Sequence, residues 1–340
     1  MTLMDSSKNI TIYDIATELN ISPSTVSRAL ANSDLISDKM RNLVYAKAVE
    51  MGYKSKSFRL NTEGTVAVVV PELNNYFYSQ VLDSIQKTLG DDILLSIYNS
   101  FNSVDNEIKL LSKLNPDNVC CLIIVKSMDS KDSSHIQEVE KRVIPIIMFN
   151  RVDYDYLCPK FVIDNYMDGY LLTKHLIASK YRRIAFVSKH YKCPIYKERA
   201  RAYIDVLNDS GLRFNSDYML FSEHTPDDIV AVVQRFLFSK QRPDAIIMPG
   251  FSAALQAISI CRKYNINVPE EIAIVSFDED PECRYSNPTI TGIERPIQNI
   301  GKEIGEMAKR IYDNKPYDRN TLRVFKSNLI VRGSSLRKTN

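Results

Sequence analysis

Short apolar segments alternate with amphipathic segments through most of this 340-residue chain, from residue 65 almost to its end. Apolar runs of strand length lie at residues 66–70, 121–125, 146–149, 184–187, 245–248 and 272–276. Segments with helical apolar spacing lie between them, at residues 78–89, 168–179, 198–209 and 253–264. This alternation predicts parallel βαβ units. We therefore expect an α/β two-lobed core of two doubly wound parallel sheets, with ligand-binding loops at the strand ends, in a cleft between the lobes.

The length and a change of pattern near residue 54 divide the chain. A single hydrophobic core rarely grows beyond about 250–300 residues, so a chain of 340 residues predicts more than one domain. We expect an all-α domain at residues 1–53, a linker at 54–64 and the two-lobed domain at 65–336. Because the pattern breaks near Asn287-Pro288, we expect lobe 1 at about 65–160 and 289–320, and lobe 2 at about 161–288 and 321–336.

The first domain carries the signals of a helix, a short turn and a second helix. Thr11 is a good N-cap before an apolar pattern that ends at Leu19, and Asn20 tolerates the positive φ that a tight turn requires. Ser22 caps the next helix, and Pro23 occupies its first turn, where a missing N–H is harmless. The outward face of that helix carries small donors and one guanidinium, at Ser24, Thr25, Ser27 and Arg28. Such a face suits phosphates and base edges, so the segment predicts a helix-turn-helix DNA-binding domain, with an ordinary three-helix bundle as the alternative.

The net charge of the chain alone does not predict binding to nucleic acid. The chain carries 44 Lys and Arg against 41 Asp and Glu, a net charge of +3. The first 59 residues hold eight of the cations and six of the anions, so they are only modestly basic. The DNA-binding hypothesis depends on where the polar side chains stand.

The amino-acid sequence of this domain resembles that of the DNA-binding domain of the lactose-repressor (LacI/GalR) family of bacterial regulators. The matching segments are Thr-Ile-Tyr-Asp-Ile-Ala at 11–16, Ile-Ser-Pro-Ser-Thr-Val-Ser-Arg-Ala-Leu at 21–30 and Met-Gly-Tyr at 51–53. The resemblance implies base reading by Ser24 and Arg28, with apolar contact from Pro23. It also implies phosphate contacts at Thr11, Tyr13, Ser22, Thr25, Ser27, Asn32 and Tyr53. The core segments Val-Ile-Asp-Asn at 162–165 and Ser-Phe-Asp at 276–278 resemble the same family, whose core is like a periplasmic binding protein.

The linker departs from the family pattern. It is shorter than is typical and lacks the Ala-Arg pair of the family's hinge helix. Leu60 is the candidate for the leucine that wedges into the minor groove, and packing of Leu60 on the core is the alternative.

The resemblance also implies an effector site. Its residues are Phe77, Tyr78, Asn150, Asp164, Arg199 and Asp278. A carboxylate and a guanidinium can grip adjacent hydroxyls while an aromatic face packs on C–H groups, so we expect a sugar or sugar derivative. Phe77 could instead belong to the core, and Arg199 or Asp278 to a surface ion pair. Gly250-Phe251 replaces the family's usual Asn-Asp, which leaves a non-sugar metabolite such as a nucleobase as the alternative effector.

The sequence contains few of the patterns that indicate an enzyme. Gly-Phe-Ser-Ala-Ala at 250–254 imitates a nucleophile elbow, but all four histidines precede Ser252, against the order of that triad. There is no G-x-G-x-x-G signature, and the histidines lack metal-ligand spacing, so we expect no cofactor, no metal and no catalysis.

We therefore interpret the chain as a DNA-binding transcriptional regulator, a repressor in the simplest case, controlled by a small effector. A homodimer or higher oligomer would place two heads on a near-palindromic operator. The sequence has no signal peptide, no apolar run long enough for a membrane helix and no C-x-x-C pair, so we expect a cytoplasmic protein. A periplasmic ligand receptor, the competing class, would need an export signal and no DNA-binding domain.

Overall fold

A computed structural model describes residues 10–30, 33, 35–51, 53, 65–188, 193–221 and 226–337. The first part of the chain contains helices α1 (Ile12–Leu19), α2 (Pro23–Leu30) and α3 (Asp38–Met51). Next come β1 (Thr65–Val70), α4 (Tyr76–Leu89), β2 (Leu95–Asn99), α5 (Val104–Leu111), β3 (Val119–Ile124), α6 (Ser134–Lys141), β4 (Ile146–Phe149) and β5 (Lys160–Ile163). Then follow α7 (Asn165–Ala178), β6 (Ile184–Ser188), α8 (Pro194–Asp209), β7 (Met219–Phe221), α9 (Pro226–Leu237), β8 (Ala245–Met248) and α10 (Phe251–Lys263). The last elements are β9 (Ala273–Ser276), β10 (Thr291–Glu294), α11 (Ile297–Tyr312), β11 (Leu322–Phe325) and β12 (Asn328–Ile330).

The three N-terminal helices pack around one small apolar core. Its fully buried members are Ile15, Ala16, Val26, Ala29, Leu30, Val44 and Ala48. Thr11 caps α1 through a reciprocal capping box with Asp14, and Asn20 ends that helix in the left-handed conformation at φ 52°. These local signals lie in the sequence itself, which is why the expected helix-turn-helix forms as predicted.

Contacts divide the chain into two compact units, Met1–Val162 with Ile297–Arg323 and Ile163–Pro296 with Val324–Asn340. We call them unit 1, which includes the N-terminal helices, and unit 2. The chain passes from one unit to the other three times.

Unit 1 is built around a six-stranded sheet in the order β11-β5-β4-β3-β1-β2. Strands β1 to β5 pair in parallel, for example Val66 beside Leu95 and Leu122 beside Ile146. Parallel pairing sends the carboxyl ends of these strands to one edge of the sheet, where Tyr78 and Asn150 follow β1 and β4.

Unit 2 repeats the plan with a sheet in the order β12-β10-β9-β8-β6-β7. Its strands pair in parallel except β12, which runs antiparallel to β10. The fold class predicted from the alternation is confirmed: two parallel-dominated doubly wound sheets follow a helix-turn-helix domain.

The passage back to unit 1 comes later than expected. Residues 289–296 were expected in lobe 1, but β10 pairs with β9 through Thr291–Val275 and Gly292–Ser276, so this segment extends the second sheet. The chain changes unit at Ile297, where α11 begins, and again at Val324. Among the described residues, no helix is both long and apolar enough to span a membrane.

Candidate functional site

The second helix of the N-terminal domain presents a polar face. Val26, Ala29 and Leu30 are buried, which turns Ser24, Ser27 and Arg28 to the outside, where they are exposed. Pro23 and Thr25 are half-buried beside them. The described part of the chain therefore brings the predicted base-reading residues together on one exposed helix face.

Several predicted phosphate-contacting hydroxyls also hold the helix ends. Ser22 Oγ accepts a hydrogen bond from the backbone N–H of Thr25 at 3.1 Å and lies 2.8 Å from the hydroxyls of Ser24 and Thr25. Thr11 Oγ1 donates to Asp14 Oδ2 at 2.6 Å. Tyr13 is largely exposed, and the backbone N–H of Tyr53 bonds to Ala48 O at 2.9 Å. Asn32, Leu60 and the linker at 54–64 lie outside the described residues.

Two cations of this domain have structural partners. Arg41 is buried, and its Nη2 donates to the carbonyl oxygens of Ser33 and Ile36 at 3.1 Å each. Lys47 Nζ lies 2.8 Å from Glu50 Oε2. Of the four cations in the described part of this domain, Arg28 and Lys39 are exposed.

In unit 1, the tyrosine hydroxyl of Tyr78 joins several strand ends. Asn150 Nδ2 donates to it at 2.9 Å and Arg151 Nη2 at 3.2 Å. Arg151 Nη1 also donates to Asn102 Oδ1, at 2.5 Å, and to Lys126 O. Phe77 is 7% exposed and meets the Tyr78 ring edge-on at 5.4 Å, so it is a packed aromatic of this unit.

A buried carboxylate, Glu107, occupies the same edge of the sheet. Its Oε2 accepts from the backbone N–H of Ser127 at 2.8 Å and from Ser127 Oγ at 2.7 Å. Its Oε1 lies 2.6 Å from His135 Nε2. We call Tyr78, Asn102, Glu107, Ser127, His135, Asn150 and Arg151 the unit 1 network.

In unit 2, Arg199 projects inward from α8 and is almost fully buried. Its Nε donates to Asn165 Oδ1 at 3.1 Å, and its guanidinium carbon lies 4.3 Å from the centre of the Phe277 ring. Burial, and then the positive charge of Arg295, lower the pKa of Arg199. A surface ion pair, the alternative considered for Arg199, does not fit this burial.

Asp278 follows β9 and pairs with an arginine that the sequence did not single out. Arg295 Nη2 lies 2.6 Å from Asp278 Oδ1, with 13% of the arginine side chain and 29% of the aspartate side chain exposed. Two glycines make room for Asp278: a Cβ on Gly250 would lie 2.6 Å from its Oδ2, and one on Gly292 would lie 2.6 Å from its carbonyl oxygen. The departure at Gly250 thus removes a polar side chain and makes room for the Asp278 carboxylate.

The remaining carboxylates of unit 2 differ in their surroundings. Asp164 is the N-cap of α7, since its Oδ1 accepts from Met167 N at 2.9 Å. Asp168, one turn along α7, is fully buried; the Ser327 hydroxyl faces its carboxylate, without full hydrogen-bonding geometry. Burial raises the pKa of Asp168, while the charges of Arg199 and Arg295 act in the opposite direction. We call Asp168, Arg199, Asp278 and Arg295 the unit 2 charge cluster.

Sequence reasoning missed Arg151, Asp168 and Arg295. Arg151 directly follows Asn150, so its position next to a predicted site residue was a usable signal. Asp168 and Arg295 carry no local signal, because charged residues in a helix or after a strand usually face water.

Ser252 lacks the surroundings of a catalytic nucleophile in the described part of the chain. It lies in the first turn of α10, and its hydroxyl accepts a hydrogen bond from Gln256 Nε2 at 3.4 Å. Of the histidines that the structure describes, His175 bonds to Ser335 and His135 to Glu107.

Comparison with known proteins agrees with both parts of the chain. The model of the bacterial regulatory proteins of the lacI family matches residues 11–56, and a periplasmic binding protein-like domain matches residues 173–335. Catabolite control protein A of Priestia megaterium is 26% identical over 86% of this chain and 90% of its own. The NTD biosynthesis operon regulator NtdR of Bacillus subtilis is 25% identical over 96% of this chain and 99% of its own.

Solved structures share the fold. The transcriptional regulator CelR in complex with cellobiose covers 96% of this chain and 100% of its own, with a TM-score of 0.71 and 23% identity. The lac repressor dimer bound to operator and an anti-inducer covers 97% of this chain and 100% of its own, with a TM-score of 0.70 and 18% identity.

Together, the DNA-binding helices and the periplasmic-binding-protein-like core define a transcriptional regulator of the kind that small-molecule effectors control. The chain carries a LacI-family DNA-binding domain and a periplasmic-binding-protein-like domain, and its relatives are regulators of the LacI family, as the resemblance of its first fifty residues indicates.

Proposed function

We propose that α2 reads an operator through Ser24 and Arg28, with Pro23 in apolar contact with a base. Arginine recognises guanine through two parallel hydrogen bonds in the major groove, and Arg28 is the exposed guanidinium of this helix. The proposed phosphate contacts are Thr11, Tyr13, Ser22, Thr25, Ser27 and Tyr53, together with Asn32, which lies outside the described residues. Ser22 and Thr11 also cap the first turns of their helices. The same capping hydrogen bonds would therefore fix the positions of the hydroxyls that contact phosphates.

The effector we propose is a neutral sugar or sugar derivative. The observation that carries this proposal is the partly exposed Asp278 carboxylate among two guanidinium groups at the strand ends of unit 2. Alternating acceptors and donors suit a compound with adjacent hydroxyls, each of which both donates and accepts. The cellobiose complex of CelR, a protein of the same fold, supports this class.

Tyr78 and Asn150 of unit 1 and Asp164 of unit 2 are proposed as further effector contacts. Each uses part of its hydrogen-bonding capacity within its own unit: the Tyr78 hydroxyl accepts from Asn150 and Arg151, and Asp164 caps α7 with one oxygen. The Tyr78 hydroxyl proton and the second Asp164 oxygen would serve a ligand. Phe77 would contribute its apolar surface.

The regulator is proposed to act in the cytoplasm as a homodimer on a near-palindromic operator. The lac repressor, of the same fold, is a dimer on its operator. Two heads also suit the small excess of positive charge in the first 59 residues, since each phosphate contact adds only part of the binding free energy. Effector binding would change operator affinity only to the extent that it favours one of two states, so induction and corepression both fit.

Selection of operators from random DNA, with and without a panel of sugars and nucleosides, tests the proposal. We expect an enriched palindrome whose binding changes with at least one neutral sugar. Arg28→Ala should lower the affinity ratio between selected and scrambled DNA by about tenfold or more, because each base-specific pair is worth about 1–3 kcal/mol. Lys39→Ala, a change of an exposed cation outside α2, is the matched control and should leave that ratio unchanged.

Asp278→Asn should weaken effector binding and leave operator discrimination intact. If either single variant lost both activities while remaining folded, the two sites would not be separable. A selection without an enriched palindrome would contradict the DNA-reading assignment. A response to nucleosides alone would exclude the sugar class.

A further inference from the structure

The ion pair between Arg295 and Asp278 places a positive side chain on the carboxylate that the proposed effector would use. The contact is 2.6 Å long and mostly shielded from water, which strengthens its electrostatic attraction. Arg295 also donates from Nη2 to the carbonyl oxygen of Phe277 at 3.2 Å, so the guanidinium lies along the backbone leading to Asp278. A hydroxyl that approached Asp278 Oδ1 would have to compete with this guanidinium.

Asp168 offers a second position for the same guanidinium. It is fully buried, and among the described residues no donor meets its carboxyl oxygens in full hydrogen-bonding geometry, although the Ser327 hydroxyl faces them. The cations that act on it are Arg199 and Arg295, and the other polar or charged groups that face it are Ser327 and Asp164. Ser327 Oγ is itself buried, and its hydroxyl lowers the pKa of Asp168 as a hydrogen-bond donor would. One hydroxyl compensates a buried carboxylate only in part, so the carboxylate stays costly unless a cation reaches it.

Arg199 is less able to move than Arg295. Its Nε is bonded to Asn165, its plane lies over Phe277, and it projects from the middle of α8. Arg295 follows the last residue of β10 and precedes Pro296, so its side chain leaves the end of a strand. Of the two guanidinium groups, Arg295 is the one that can change partner by side-chain rotation.

We propose that Arg295 competes with the effector for Asp278, and that Asp168 accepts Arg295 when the effector binds Asp278. Arg295 is thus a positioning residue that sets effector affinity and specificity. In the exchange, Arg295 gives up its ion pair with Asp278 for one with Asp168, while the effector hydroxyls take the Asp278 carboxylate. A ligand able to occupy both Asp278 oxygens is favoured over one with a single hydroxyl. This inference rests on the proposed role of Asp278 in effector binding.

The test compares variants of the full chain by calorimetric titration with cellobiose, D-glucose and cytidine. Removing the competitor in Arg295→Met should tighten binding of a responding probe by about three- to tenfold, as expected for loss of a partly buried ion pair. Arg295→Lys keeps the positive charge, so its affinity for the probe should be close to that of the wild type and weaker than that of Arg295→Met. Arg284→Met removes an exposed arginine that pairs with Glu279 at 3.6 Å in the neighbouring loop, and it should change nothing.

Asp168→Asn should weaken binding of the same probe about tenfold in the wild-type background and have little effect in the Arg295→Met background. A general structural role of Asp168 would weaken binding equally in both backgrounds and would overturn its assignment as the acceptor. Unchanged or weaker binding by Arg295→Met would overturn the competition, since it would make Arg295 a bystander or a direct effector contact.

A ligand-independent measurement separates this inference from the proposed sugar effector. A double-mutant cycle of Arg295→Met and Asp278→Asn in urea unfolding should show a favourable coupling between the two side chains. If no sugar binds any variant, the sugar proposal fails, and this coupling decides the inference. Its presence supports the pairing on which the competition depends, and its absence refutes it.

Discussion

The two units carry polar clusters at equivalent strand ends, yet the clusters are built on opposite principles. In the unit 1 network, Glu107 is buried but accepts three polar contacts from Ser127 and His135. In the unit 2 charge cluster, Asp168 is equally buried, but among the described residues it faces only the Ser327 hydroxyl as a neutral donor, and that hydroxyl lacks full hydrogen-bonding geometry. A satisfied carboxylate stabilises one arrangement, whereas an unsatisfied one favours a change of partner.

The contrast suggests a division of labour within the core. The unit 1 network ties together the loops after β2, β3 and β4, through Ser127, Asn102 and Arg151. It would present Tyr78 and Asn150 in a preset geometry. The unit 2 charge cluster would respond to the ligand, because its charges have more than one possible pairing.

The largest expected effect is the loss of the buried carboxylate in unit 1. Glu107→Ala would leave the N–H and hydroxyl of Ser127 and the ring of His135 without their acceptor. We expect a loss of about 3–5 kcal/mol in the free energy of unfolding, measured by urea denaturation followed by circular dichroism. Glu107→Gln, which keeps the shape and one acceptor oxygen, should lose less than half as much. Equal losses in the two variants would show that the carboxylate is not the centre of the network.

A smaller effect distinguishes the two glycines beside Asp278. Gly292→Ala would place its Cβ 2.6 Å from the carbonyl oxygen of Asp278, and the backbone of two segments would have to separate. We expect a loss of about 2 kcal/mol in the free energy of unfolding, typical of overpacking. Gly250→Ala meets the flexible end of the Asp278 side chain, at the same distance, so it should cost less than about 1 kcal/mol and mainly weaken effector binding. A reversed order of the two losses would contradict this placement of Asp278.

Local signals made the DNA-binding domain predictable. Thr11, Asn20, Ser22 and Pro23 mark helix ends in the sequence, and they mark the same ends in the structure. The buried strands were predictable because runs such as residues 245–248 are wholly apolar. Strands β7, β10 and β11 were not predicted, since they are only three or four residues long and β10 and β11 mix polar with apolar side chains.

The functional residues divide in the same way. Arg199 and Asp278 lie in segments whose sequences resemble those of the family, so the resemblance predicted them as effector-binding residues. The roles of Arg295 and Asp168 depend on tertiary contacts, because the ion pair with Asp278 joins the segments that follow β10 and β9. The position of the crossing at Ile297 likewise depends on β10 pairing with β9, which no local pattern shows.

The last expected effect depends on pH and concerns Asp280, a half-buried neighbour of the unit 2 charge cluster. Burial, and then the negative charge of Asp278, raise its pKa to about 7, while Arg295 acts in the opposite direction and Glu279 and Glu282 add to the increase. An acid whose pKa is raised on folding stabilises the folded state only while it is protonated. Its contribution should be fully present below about pH 4, fall as the pH rises towards 7, and be absent above that value.

Asp280→Asn removes this titration and keeps the shape of the side chain. After allowance for its partial exposure, we expect the variant to be more stable than the wild type by about 1 kcal/mol at pH 8, with no difference at pH 4. Urea unfolding at intervals between these pH values measures the effect, and Asp209→Asn, at an exposed position on α8, serves as the control. The same variant combined with Arg295→Met should gain more at pH 8, because Arg295 is the cation that partly offsets the charge of Asp280. If the gain in the free energy of unfolding were the same at every pH, Asp280 would not titrate between pH 4 and pH 8. In that case Arg295 would already neutralise the negative charge of Asp278.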